Sequence, residues 1–136
     1  LGNMWGDGRS TVTVYVHPAR YTSEFLKENE EFTVSFFPKS QKSALAYMGT
    51  HSGRTENKAE AAGLTPVAVR NSVTYEEAEL TFVCRKLYQH QFTKEDIVSD
   101  VQAYYASGAA VYPDGEGGWQ PHIIFIGEIL DVIDKR

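Results

Sequence analysis

From Thr11 to Val16 the chain alternates strictly, with Val12, Val14 and Val16 on one side and β-branched or aromatic residues on the other. That period of two predicts a strand with one apolar face. Pro18 ends it. Thr22 stands where a helix N-cap would, before a short helical turn over residues 23–28. Alternation resumes from Glu31 to Phe37, and Pro38 closes this second strand. Lys39 to Met48 has helical character, with Ala44, Leu45 and Met48 sharing a face and Gly49 placed as the residue past its end. Residues 50–55 are small and polar and predict a loop. Lys58 to Ala62 predicts a short helix stopped by Gly63. Val73 to Tyr88 contains a long strand with Ala78, Leu80, Phe82 and Cys84 on one face. Thr93 to Asp96 predicts a capped helix start; Ile97, Val101 and Tyr104 continue its face and Gly108 ends it. Residues 112–118 make a turn-rich connection, and Ile123 to Ile133 predicts a last strand, bent at Gly127.

Long strands therefore carry the fold and short helices join them. The strands keep no regular βαβ rhythm, which argues against a doubly wound parallel sheet and for a mainly β, antiparallel barrel with short peripheral helices. No repeat, low-complexity segment or linker divides the 136 residues, so a single domain over residues 1–136 is expected. The chain starts at Leu1, and its opening residues read as the middle of something longer, so a leading strand segment is expected before it. With 42% hydrophobic and 23% charged residues there is enough apolar surface for one core. The formal net charge of -5 argues against a nucleic-acid partner, which calls for a basic face. It leaves room for a local cluster of cations around a small phosphate. The single cysteine, Cys84, cannot form an internal disulfide, and a reducing, cytoplasmic setting is expected. No apolar run approaches the roughly 20 residues of a membrane helix, so no membrane partner is expected.

Most candidate chemistries fail on spacing. His17, His51, His90 and His122 are scattered, with no HExxH pattern, and no metal is expected. Cys84 sits in an alternating strand face and reads as a small core residue. Ser10, Ser35 and Ser52 lack the context of a nucleophile elbow. Glu76, Glu77 and Glu79 read as a solvated edge rather than an acid–base pair. Two segments remain. In His17-Pro18-Ala19-Arg20-Tyr21-Thr22 a strand ends, an arginine and a hydroxyl follow, and a helix begins. Helix N-termini offer unpaired N–H groups and partial positive charge, and arginine grips phosphate in two places. A capped helix with an exposed arginine explains the same residues. In the second, His51 to Lys58, a glycine, hydroxyls and two cations lie in a loop that feeds a helix. Gly53 lets backbone approach a ligand closely, and Ser52, Arg54 and Lys58 offer donors to an anion. It is neither a Walker loop nor a dinucleotide fingerprint, and a plain surface loop is its other reading. Together the two segments point to one phosphate, or two phosphates of one ligand.

The order of these pieces resembles the flavin reductase-like family of FMN-binding split β-barrels, flavoredoxins among them, which are usually homodimers. The matching positions are Pro18, Arg20, Tyr21 and Thr22, then Asn29 and Phe32-Thr33-Val34, then Gly49, Ser52, Gly53 and Arg54, then Lys58 and Gly63-Leu64. His122, Gly127, Glu128 and Ile129 resemble the family's closing strand. The opening Asn3-Met4-Trp5-Gly6 departs from the family's Asn-x-Met-Thr-x-x-Trp type of segment. The resemblance implies a cofactor site of His17, Arg20, Tyr21, Thr22, His51, Ser52, Gly53, Arg54 and Lys58. Within it Arg20, Thr22, Ser52, Arg54 and Lys58 would lie around the FMN phosphate and ribityl chain, and strand backbone near His17 would approach the isoalloxazine. It further implies an oxidoreductase in which the flavin carries the chemistry and no protein group is catalytic. NAD(P)H would be the electron donor, docked in a groove lined by Trp119 and His122. The alternative is a non-enzymatic electron-transfer module that holds FMN and serves a redox protein partner. A scaffold that has lost flavin is a third reading.

Overall fold

The structure is a computed structural model and describes residues 2–53, 56–108 and 118–136. The strands are β1 (Thr11–Val16), β2 (Glu31–Phe36), β3 (Pro66–Val69), β4 (Ser72–Tyr75), β5 (Leu80–Gln91) and β6 (Ile123–Asp134). The α-helices are α1 (Tyr21–Glu28), α2 (Lys42–Thr50), α3 (Lys58–Ala62) and α4 (Ser99–Ala106). One antiparallel sheet runs in the order β1-β6-β5-β2, and β3 and β4 form a separate hairpin. The valine face of β1 meets the last strand, with Val12 opposite Gly127, Val14 opposite Phe125 and Val16 opposite Ile123. Val12, Leu26, Phe32, Cys84, Ile123 and Phe125 are buried together beneath α1. Lys86 of β5 fastens that helix by donating its ammonium to the Leu26 and Lys27 carbonyls at 2.7 and 3.1 Å, a favourable place for a cation near a helix C-terminus.

The long β5–β6 pair is not regular. Val83 lies opposite Asp131 and Cys84 opposite Ile129, so Leu130 is an extra residue on β6. Lys86 lies opposite Gly127 and Tyr88 opposite Ile126, so Leu87 is an extra residue on β5. Bulges of this kind bend a strand and increase its twist, and the sheet curls into an antiparallel half-barrel, as the strand pattern predicted. The expected single apolar face does not hold, because β5 is covered on both sides: Cys84 packs in the core under α1 and Thr81 meets Thr74 of the β3–β4 hairpin. Val83 and Cys84, neighbours in the chain, are both fully buried.

The β3–β4 hairpin lies across β2 and is tied by hydroxyls. The Thr33 hydroxyl donates to the Val73 carbonyl at 2.6 Å, and buried Thr74 and Thr81 are 2.7 Å apart at their hydroxyls. The stretch from Val73 to Tyr88, expected to contain one long strand, holds the end of β4, a turn and most of β5. Glu77 makes that turn. Its carboxylate accepts the Thr65 N–H at 2.9 Å and the Thr65 hydroxyl at 2.9 Å, and these bonds hold its pKa below the ordinary value. Glu77 is a clasp, not part of a solvated edge.

Three helix ends also differ from expectation. The first helix starts at Tyr21 with Arg20 in the cap position, so Thr22 lies in its first turn and is not the N-cap. The second continues through Gly49 to Thr50, and His51 caps it through its N–H to the Tyr47 carbonyl. The segment from Thr93 forms a 3-10 turn over Lys94–Asp96, and α4 begins only at Ser99. No helix among the described residues is long and apolar enough to cross a membrane.

Cys84 is fully buried, and burial pushes its thiol up to about 12. A thiol is reactive as its thiolate. The native protein is therefore expected to leave a thiol-specific disulfide reagent unreacted at pH 8, and to release one equivalent of product after denaturation. Rapid labelling of the folded chain would show that the core around Cys84 opens.

Candidate anion and cofactor site

Two helix starts and one helix end meet on one side of the half-barrel. The chain leaves β1 at Val16, turns through His17 to Arg20 and enters α1. On the other side, α2 ends at Thr50, the loop passes Ser52 and Gly53, and α3 starts at Lys58. A cavity of about 150 Å³ lies between them, lined by Arg20, Tyr21, Thr22, His51, Ser52, Gly53 and Lys58, with Ala19 and Thr50 completing the wall. No carboxylate lines it among the described residues, although the chain as a whole is acidic. Tyr21, Thr22, Gly53 and Lys58 also border a second space of about 380 Å³ that reaches Met48 and Tyr75.

The cations are positioned by the carbonyl end of α2. Lys58 donates to the Met48 carbonyl at 2.9 Å and the His51 carbonyl at 3.3 Å, and Arg20 donates to the Gly49 carbonyl at 3.1 Å. A carbonyl satisfies an N–H donor without neutralising its charge. Burial and the nearby Arg20 guanidinium hold the Lys58 ammonium below its ordinary pKa, and Glu56 partly offsets them. Glu56 is itself engaged, accepting the Tyr47 hydroxyl at 2.8 Å. Two cations held side by side, with hydroxyls and the start of α1 beside them, favour an anion.

Gly53 and the Tyr21 ring approach closely. A Cβ there would stand 3.0 Å from Cδ1 of the Tyr21 ring, so a side chain would push Tyr21 into the cavity or out of it. Tyr21 meets Phe25 edge to face with centroids 4.8 Å apart. The His51 ring stacks on Tyr47 at 3.7 Å, and its Nδ1 lies 3.0 Å from the Tyr47 carbonyl.

The structure thus brings Arg20, Tyr21, Thr22, His51, Ser52, Gly53 and Lys58 together, while Arg54 lies outside the described residues. His17 is 3% exposed and sits behind the turn that leads to Arg20. Its ring meets that of His122 edge-on at 5.2 Å. Trp119 is elsewhere, stacked on Tyr105 of α4 at 5.1 Å with the Lys94 ammonium 4.8 Å above its ring. Neither Trp119 nor His122 borders the cavity around Lys58. Sequence reasoning missed Asn57, whose side chain accepts the Glu60 N–H at 3.3 Å and caps α3. Its signal was present as an Asn followed three residues later by Glu, the spacing of a capping box. Among the described residues no cluster of His, Cys, Asp and Glu could hold a metal ion.

Comparison with known proteins agrees on the fold. Among solved structures the chain is similar to an FMN-binding protein from Thermus thermophilus, with TM-score 0.66 and 22% identity over 92% of this chain and 54% of that one. It is similar to a flavoredoxin from Methanosarcina acetivorans, with TM-score 0.67 and 19% identity over 93% of this chain and 56% of that one. A flavoredoxin of Desulfovibrio vulgaris gives TM-score 0.64 and 24% identity over 91% of this chain and 52% of that one. The chain therefore spans about half the length of each. A further structure of the same fold, from Shewanella frigidimarina, is described as having a split barrel domain. No curated protein sequence matches the chain. The flavin reductase like domain matches residues 10–136, and the chain belongs to that family.

Proposed function

We propose that this chain is a cytoplasmic flavoprotein that binds FMN and passes electrons between NAD(P)H and the flavin or a downstream acceptor. The observation that carries the reading is the convergence of the α1 start, the Ser52–Gly53 loop and Lys58 on one cavity without an acidic wall among the described residues. The donor set fits a phosphate monoester. Lys58 and Arg20 supply charge, and the Thr22 and Ser52 hydroxyls and the first N–H groups of α1 supply direction. Bound FMN supplies hydride and electron transfer. The protein's part is to hold the phosphate, orient the ribityl chain past Tyr21 and keep bulk away from Gly53. Exposed Tyr15 and Tyr88 on the curved sheet, with Phe92 just past β5, would serve a homodimer contact.

The test is spectroscopic. Flavin absorption bands that stay with the protein after excess FMN is removed are expected, and anaerobic NADH or NADPH should bleach them. A protein that stays colourless overturns the cofactor reading. Retained flavin that neither nicotinamide reduces, but a reduced redox protein does, would replace the enzyme with the electron-transfer module. The folds shared with two flavoredoxins keep that second reading in view.

A further inference from the structure

The turn that delivers Arg20 and Thr22 to the cavity is built on an imidazole. His17 Nδ1 accepts the Ala19 N–H at 3.0 Å, and the His17 carbonyl accepts the Arg20 N–H at 3.0 Å. Ser23, which is 1% exposed, closes the other side. Its hydroxyl lies 3.0 Å from the Pro18 carbonyl and 2.8 Å from the Arg20 carbonyl. These contacts fix residues 17–23 as one unit, in which Ala19, Arg20, Tyr21 and Thr22 line the cavity. An imidazole can accept through Nδ1 only when that nitrogen carries no proton. The ring is buried and is also hydrogen-bonded to the Gln120 backbone.

We infer that His17 is the positioning residue of the anion cradle, and that the cradle is assembled only while His17 is neutral. A proton on Nδ1 would set two N–H groups against each other at 3.0 Å, and the turn could relieve them only by moving Ala19 and Arg20. The charged groups around the ring act in the same direction. Burial first, then His122 just before β6 and Arg20 from the turn, oppose a positive His17 and hold its pKa below the ordinary 6.5, against the Gln120 backbone hydrogen bond, which favours the charged ring. The cradle is thus competent at neutral pH and is expected to loosen as pH falls below that value.

The inference rests on the reading of the cavity as an FMN phosphate site, and the two can fail separately. The measured quantity is the ratio of the riboflavin to the FMN dissociation constant, which isolates the phosphate. It is determined by fluorescence quenching at pH 7.5 and at a pH below the His17 midpoint, which NMR of the ring supplies. The wild-type ratio is expected to fall on the order of tenfold on acidification. His17→Asn keeps an acceptor at the Nδ1 position and does not titrate. Its ratio should change only by the smaller amount set by the ionisation of the phosphate itself. His17→Ala should have a low ratio at both pH values. Identical pH profiles for wild type and His17→Asn overturn the positioning role. So does a wild-type ratio that rises on acidification relative to His17→Asn, because direct attraction between protonated His17 and the phosphate would then dominate. A wild-type ratio near one at both pH values sinks the phosphate site itself.

A second measurement needs no variant. Linkage is reciprocal, so FMN should lower the pKa of His17 followed by NMR in the wild-type protein. An unchanged or raised value overturns the inference.

Discussion

Replacing Lys58 by alanine is expected to weaken FMN about tenfold or more and to leave riboflavin nearly unchanged. A hydrogen bond to a charged group is worth roughly 1.5–3 kcal/mol, and each 1.4 kcal/mol is a factor of ten. The ammonium also holds the Met48 and His51 carbonyls, so its removal disturbs the end of α2 as well. That disturbance acts on both ligands, whereas the lost charge acts on FMN alone. Lys58→Gln separates the two effects. The amide can still donate to a carbonyl but carries no charge, so thermal stability should recover relative to alanine while FMN affinity stays low. Parallel titrations of the three proteins with both flavins decide the matter. Equal losses for FMN and riboflavin would mean that the Lys58 ammonium does not meet the phosphate.

The second large effect is on stability. Gly127 lies on β6 under the Phe32 ring, and a Cβ there would come within 2.7 Å of Phe32 Cζ and 3.0 Å of Cys84 Cβ. Phe32 cannot swing aside freely, because it is buried among Val12, Leu26 and Phe125. Gly127→Ala should therefore destabilise by about 1–3 kcal/mol, the usual cost of overfilling a packed core. Phe32→Leu should destabilise too, by leaving space. In the double variant the new methyl enters that space, so the two losses should fall short of adding, with a coupling of about 0.5–3 kcal/mol. Urea denaturation of the four proteins measures the cycle. Strict additivity would show that the contact between this glycine and the ring is not what Gly127 serves.

The parts of this fold that were legible are those marked by local punctuation. The first strand occupies Thr11–Val16 and the third helix Lys58–Ala62, the bounds that the valine alternation, Pro18 and Gly63 indicate. The turn between β4 and β5 was missed for the converse reason. Residues 76–79 contain no glycine or proline, and the turn is held by the Thr65 N–H, which donates to the Glu77 carboxylate from twelve positions earlier in the chain. The bulges at Leu87 and Leu130 leave no trace in hydrophobicity, since leucine fits either face. At the site, the residue types were readable because few side chains suit an anion. Their arrangement was not, because Lys58 and Arg20 are aimed by backbone carbonyls of α2, and every residue has a carbonyl. His17 was noticed as a histidine and placed near the flavin; that its acceptor is spent on the Ala19 N–H is visible only once the turn is built.

The order of the strands also sets the order of folding. Thr11 stands opposite Glu128, so the first strand of the chain pairs with the last. On the ribosome, β1 and β5 must wait for β6, which is made after both, each with an open edge inviting a neighbouring chain. The sheet closes only when β6 inserts between them, at the full entropic cost of bringing distant segments together. A nascent or clipped chain without its final strand would hold every residue of the cradle in sequence and yet have no sheet on which to mount it.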